Sequence, residues 1–164
     1  MTRCRPHKLT PAQRRKAMQS NRGRTRPERR VAASLWKTGL RYLTADGYRA
    51  RTGRQFPGNP DLIFVGRRCV VFVDGCFWHG CGRCHDFKRD LNAWWREKIE
   101  GNVARDNLVR GRLRRDGWTV LVVREHELAT ADQFARTIQR LTSRIPPSRY
   151  DVTDARRRHK AQGR

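Results

Sequence analysis

The sequence predicts an α/β domain in which helices flank a central mixed β-sheet. Three observations carry this prediction: three short runs rich in β-branched residues, a long stretch of helical period between the second and third, and helix-capping signals on either side. At 164 residues and 37% apolar content, the chain can build one modest core flanked by solvated segments.

Taken in order, Thr10 and Pro11 form an N-cap and N1 pair that opens a short basic helix running to about residue 18. Thr25, Arg26, Pro27 and Glu28 then have capping-box spacing, with Glu28 at N3, and lead into a helix carrying Val31, Leu35 and Trp36 before Gly39. Residues 41–59 are rich in Gly, Arg and polar side chains without a period, which predicts a loop with one edge strand near Tyr42. Residues 61–65 and 69–73, separated by Gly66, Arg67 and Arg68, read as a buried hairpin, and residues 119–123 as a third buried strand.

A helix is expected over residues 92–116, closed by Gly117 at C′. Its inward stripe reads Trp95, Ile99, Asn102, Asp106, Val109 and Leu113. Buried Asn and Asp cost free energy unless paired, so Asn102 and Asp106 are expected to reach into a polar site in the core. A last helix is expected over residues 132–143 before Pro146 and Pro147 stop regular structure. The organisation is then a basic arm over 1–24, a folded domain over 25–145 and a basic tail over 146–164 expected to be disordered on its own.

Lys and Arg number 38 against 15 acidic residues, a net charge of +23 and a pI near 11.5, so the partner expected is a polyanion, with nucleic acid leading. No run approaches the roughly 20 apolar residues of a membrane span, and no apolar leader opens the chain, which predicts a cytosolic protein with reduced cysteines. Of the five cysteines, Cys4 in the arm is read as incidental.

Cys76, Cys81 and Cys84 have C-x4-C-x2-C spacing directly after the second strand. Thiolates so spaced wrap around one Zn²⁺, which takes four ligands in a tetrahedron. The fourth ligand is to be found among His79, His85 and His126. His126 is favoured, because it follows the third strand and neighbouring strands bring their ends together; His85 is the local alternative. The C-x-x-C pair within this group lacks the βαβ surroundings of a redox motif.

Asp61 follows Pro60 at the start of the first strand, and Asp74 ends the second, so the hairpin is expected to bring both carboxylates to one metal site. Phosphodiester hydrolysis needs a hard cation to neutralise phosphate and activate water, and carboxylates at strand ends hold Mg²⁺ while leaving positions open. His79 is read as general base or phosphate ligand, since imidazole titrates near working pH, with completion of the zinc site as its other reading.

Together these residues resemble the very short patch repair (Vsr) endonucleases of the PD-(D/E)xK restriction-endonuclease-like superfamily. The likeness covers about residues 10–128. It rests on Thr25-x-Pro27-Glu28, Pro57-Gly58-Asn59-Pro60-Asp61, Val71-Phe72-Val73-Asp74-Gly75-Cys76-Phe77-Trp78-His79, Trp94-Trp95-x-x-Lys98, Asn102-x-x-Arg105-Asp106 and Gly117-Trp118-x-Val120-Leu121-x-Val123.

The resemblance implies a restriction-endonuclease-like core with a structural zinc held by Cys76, Cys81, Cys84 and His126. It implies Mg²⁺ on Asp61 and the backbone carbonyl of Val73, catalytic assistance from His79, and a supporting network of Glu28, Asn102 and Asp106. By the same resemblance the substrate is duplex DNA carrying a T:G mismatch left by deamination of 5-methylcytosine, cut 5′ to the thymine. Phe77, Trp78 and Trp95 are then candidates to wedge into the base stack, where planar rings replace lost stacking. Two departures stand out: Asp74 occupies a position where some relatives have histidine, and Cys76 stands at the superfamily's lysine position.

A monomer is expected, functionally linked to a cytosine-5 DNA methyltransferase and other repair proteins, and associated with the nucleoid through DNA. Two rival readings remain: a restriction-type enzyme that cuts both strands, and a catalytically silent zinc module that binds nucleic acid.

Overall fold

Helix α1 (Arg26–Lys37) begins where the capping box predicts. The Thr25 N–H donates to Glu28 Oε2 at 3.0 Å, the Thr25 hydroxyl donates to Glu28 Oε1 at 2.7 Å, and the Glu28 N–H returns to Thr25 Oγ1 at 3.5 Å. The structure is a computed structural model and describes residues 24–84 and 93–149. The helix expected near residues 10–18, Cys4 and His85 lie outside the described residues. Val31, Ala32 and Leu35 are buried on α1, whereas Trp36 turns outward beneath the Arg41 guanidinium, 4.1 Å from its ring centroid.

Residues 41–59 are not the loop that the sequence predicts. Helix α2 (Ala45–Thr52) forms there, with the Thr44 side chain accepting from the Gly47 N–H at 2.9 Å and Gly53 in the left-handed region at its end. It buries none of its residues, so hydrophobic period gives no trace of it. The edge strand expected near Tyr42 is reduced to one bridge, Leu43 to Ile63.

Strand β1 (Leu62–Phe64) pairs antiparallel with β2 (Cys69–Asp74) through a 3₁₀ turn at Val65–Arg67. Helix α3 (Ala93–Arg115) then carries the chain across to β3 (Thr119–Arg124), which runs parallel to β2 in the order β1-β2-β3. The α/β prediction with a small mixed sheet therefore holds. The Gly117 N–H bonds to Arg114 O at 3.0 Å and the Trp118 N–H to Leu113 O at 2.9 Å, closing α3 where the C′ glycine predicts.

Strand alternation divides the core into two layers. Leu62, Phe64, Cys69, Val71, Leu121 and Val123 face α1 and α4 (Ala131–Arg144). Ile63, Val70 and Phe72 face Leu113 and Val109 of α3, together with Phe56 and Tyr48. After α4, Ile145 is buried, the Arg67 side chain donates to Pro146 O at 2.7 Å, and the Arg149 N–H donates to Gly66 O at 2.8 Å. Residues 146–149 are thus held against the β1–β2 turn, and the rest of the segment expected to be a disordered tail lies outside the described residues. No helix among the described residues is long and apolar enough to cross a membrane.

Candidate active site and metal centre

The register of the parallel strands sets the site. Asp74 at the end of β2 lies opposite Arg124 at the end of β3, so the next residues of both strands leave the sheet side by side. Cys76 and His126 each stand two residues beyond that pair. Around the His126 Nδ1, the sulfurs of Cys76, Cys84 and Cys81 lie at 3.3, 3.4 and 3.5 Å. Zinc bonds of about 2.3 Å to sulfur and 2.0–2.1 Å to nitrogen give a tetrahedral edge of about 3.5 Å, so the donor set fits that ion.

The surrounding turns support the same geometry. The Cys81 N–H bonds to Cys76 O, the Cys84 N–H to Cys81 O, and the His126 N–H points at the Cys76 sulfur from 3.4 Å. Burial pushes the Cys76 thiol up to about 11 and the Cys84 thiol further up, and it lowers the His126 imidazole. Thiols in this state need a bound cation to become thiolates. This group could hold a metal, and it contains His126, the favoured histidine.

Gly80 lets the cysteine loop lie against α3. It has φ +62°, and a Cβ there would come within 2.7 Å of Val103 Cγ2. Beside it, His79 Nδ1 lies 2.6 Å from Asp106 Oδ2 and 3.8 Å from Asp74 Oδ1. Asn102 Nδ2 donates to the Trp78 carbonyl at 3.2 Å. The polar interruption in the α3 stripe reaches the loop after β2, with Asn102 and Asp106 half-buried there and not in the core.

Glu28, Val73, Asp74, Trp78, His79 and Asn102 all line one cleft of roughly 440 Å³, with Glu125 across from them. Glu28 has two duties there, since its carboxylate also closes the α1 capping box. Asp61 lies against β2: its Oδ2 accepts from the Val73 N–H at 2.7 Å, and its own carbonyl accepts from Arg24 Nη2 at 3.2 Å. Burial pushes the Asp61 carboxyl up to about 6; the Val73 hydrogen bond and Arg24 oppose this, and the Glu28 and Asp74 charges add to it. A partly buried carboxyl beside two others suits a hard divalent cation, which would relieve their repulsion.

Asp61 is not a member of the three-residue donor group that contains Asp74. Asp74 is buried, and its oxygens lie 2.7 Å from Arg110 Nη2 and 3.3 Å from Arg124 Nη1. Its neighbours in a donor cluster are His79 and Asp106. Alternation along β2 puts Asp74 on the α3 side with Val70 and Phe72, where Arg110 of α3 meets it, while Val73 packs towards the α1 side. Arg110, Arg124 and Glu125 were not singled out from sequence. The signal available for Arg110 was its place four residues after Asp106, one turn along the same helix face.

The aromatic residues form one cluster. Trp95 is buried, with ring centroids 5.7 Å from both Phe77 and Trp78, and those two adjacent rings meet edge-on at 5.0 Å. Trp94 packs on Trp95 at 4.7 Å and is 59% exposed, the outermost ring of the group.

The family model for the DNA mismatch endonuclease Vsr matches residues 7–86. A type II nicking enzyme of Xanthomonas oryzae pv. oryzae, V.XorIIP, is 42% identical over 125 residues, covering 74% of this chain and 86% of that protein. The type II nicking enzyme V.NmeDIP of Neisseria meningitidis serogroup C is 44% identical over 118 residues, 70% of this chain and 74% of its own. The DNA mismatch endonuclease Vsr of Escherichia coli K12 is 37% identical over 120 residues, 72% of this chain and 70% of its own.

Proposed function

The chain belongs to the Vsr family of DNA endonucleases, enzymes of the nicking type, and from that premise we propose that it is a Mg²⁺-dependent mismatch endonuclease cutting one strand 5′ to the thymine of a T:G mispair. The mispair is the one left by deamination of 5-methylcytosine, which links the enzyme to a cytosine-5 DNA methyltransferase and to other repair proteins. The observation that carries this reading is the His79–Asp106 contact of 2.6 Å, in a cleft bordered by Val73, the residue whose N–H holds Asp61.

The Asp61 carboxylate and the Val73 carbonyl would hold Mg²⁺, whose chemistry would be charge neutralisation at the phosphate and activation of a water. His79 has its Nδ1 committed to Asp106, so in the neutral ring Nδ1 carries the proton and Nε2 is the nitrogen left for the substrate. There it accepts a proton from the attacking water or, once protonated, donates to the phosphate. Asn102 holds the Trp78 carbonyl and so steadies the loop that carries His79. Glu28, beside Asp74 in the cleft, orders water around the phosphate.

Phe77, Trp78 and Trp95 form the wedge that replaces stacking at the mispair, a step cheaper to open than a matched one. Zinc on Cys76, Cys81, Cys84 and His126 is structural, tying the loop after β2 to the end of β3. We read the sheet and its flanking helices as the centre of a restriction-endonuclease-like core. The basic segments 1–24 and 146–164 contact phosphates, and the enzyme works as a monomer on the nucleoid in the cytoplasm.

The catalytically silent rival parts from this reading in a single assay. Parent, Asp61→Asn and His79→Ala are incubated with end-labelled T:G duplex, with Mg²⁺ and with chelator. Loss of nicking in both variants and in chelator, with duplex binding retained, supports the reading; nicking by Asp61→Asn at the parental rate sinks it.

A further inference from the structure

Asp74, His79 and Asp106 bring one donor atom each within 4.8 Å of one another, the arrangement of a small cation site. A guanidinium already fills it. Arg110 Nη2 lies 2.7 Å from Asp74 Oδ1 and 3.7 Å from Asp106 Oδ2, and the guanidinium carbon stacks 4.9 Å from the Phe72 ring centroid. Its side chain is 8% exposed. Across the sheet, Arg124 Nη1 lies 3.3 Å from Asp74 Oδ2 and donates to the His79 carbonyl at 2.9 Å.

A buried carboxylate is costly unless paired; Arg110 hydrogen-bonds Asp74 Oδ1, and Arg124 faces Oδ2 as an ion pair without a hydrogen bond. The planar fork of arginine also fixes direction, which an ammonium does not. The two arginines therefore link one anion to both ends of His79: Arg110 to the Asp106 that holds the ring, Arg124 to the backbone carbonyl.

We infer that Arg110 and Arg124 are positioning residues for His79, with Arg110 standing in the Asp74–His79–Asp106 cluster where a cation would otherwise be needed. Asp74 is then the shared anchor of this frame. The inference rests on the catalytic reading of His79. Its consequence is specific: removing either guanidinium frees the imidazole from its fixed orientation without touching the DNA-binding surface, and small errors of orientation are expensive in rate.

The test uses the full-length chain with Arg110→Gln, Arg110→Lys, Arg124→Gln and His79→Ala. Single-turnover nicking, duplex affinity and the ¹⁵N resonances of the His79 ring are recorded for each. Arg110→Gln and Arg124→Gln are expected to slow nicking by roughly ten- to a hundredfold. Duplex affinity should stay within about twofold, the His79 Nδ1 resonance should shift, and Arg110→Lys should restore part of the rate.

Parental nicking rates in both Gln variants, or an unchanged His79 ring spectrum, would overturn the inference. Should Arg110→Gln fail to fold, Arg124→Gln decides, because that side chain is 31% exposed. If His79→Ala nicks at the parental rate, the catalytic reading of His79 fails, while the ring spectra still judge the frame.

Discussion

The carboxylate of Asp61 accepts a 2.7 Å hydrogen bond from the backbone N–H of Val73, twelve residues further along the chain. Burial nevertheless dominates and pushes the Asp61 carboxyl from 3.8 up to about 6. A carboxyl raised in the folded state contributes stability that is fully present below its unfolded value, near pH 4, and lost as pH rises through about 6. The metal-free protein should therefore lose on the order of 2–3 kcal/mol from this group between those limits. Asp61→Asn should flatten that slope and be more stable than the parent at pH 7, as urea unfolding at a series of pH values will measure.

The same ionisation governs metal binding. Nicking at limiting Mg²⁺ should rise through about pH 6 as Asp61 loses its proton, and saturating Mg²⁺ should move the midpoint to lower pH. A rate independent of both pH and Mg²⁺ in this range would remove Asp61 from the metal site.

The Cys76, Cys81, Cys84 and His126 cluster joins the ends of β2 and β3. Cys81→Ser should lower the melting temperature sharply, because a structural zinc site contributes folding free energy of several kcal/mol or more. His126→Cys, which keeps a soft fourth ligand, should retain most of the parental stability. Zinc content by plasma emission and thermal melts check both variants.

The aromatic cluster separates stability from recognition. Trp95→Ala should cost about 3–5 kcal/mol, because its ring is buried against Phe77 and Trp78. Trp94→Ala should change stability by less than about 0.5 kcal/mol, since its ring is mostly exposed. Denaturant melts test these two values, and T:G duplex affinity reports which rings the DNA engages.

What was legible in the sequence follows from locality. The strands and α3 announce themselves by β-branched runs and by a stripe at steps of three and four, α1 by its capping residues, and α4 by the prolines that follow it. Helix α2 was missed because it buries nothing, leaving only Thr44 and Gly53 to mark its ends. The cysteine spacing pointed to the Cys76, Cys81 and Cys84 group that could hold a metal, and strand adjacency to His126. The partners of Asp74 were not legible, because Arg110 and Arg124 come from 36 and 50 residues away, and the one local signal, Arg110 four residues after Asp106, points to Asp106 and not to Asp74. The hairpin ends place Asp61 near enough to Asp74 for their charges to act on each other, but the arginines that meet Asp74 come from α3 and β3.

The central claim is strand-specific action at a T:G mispair. Its most direct measurement is a duplex labelled separately on each strand, carrying one T:G mismatch in a panel of flanking sequences, compared with the matched duplex in Mg²⁺. One cut is expected, 5′ to the thymine and on the thymine strand only, with the matched duplex left intact. Equal cutting of the matched duplex, or cuts on both strands, would contradict the claim.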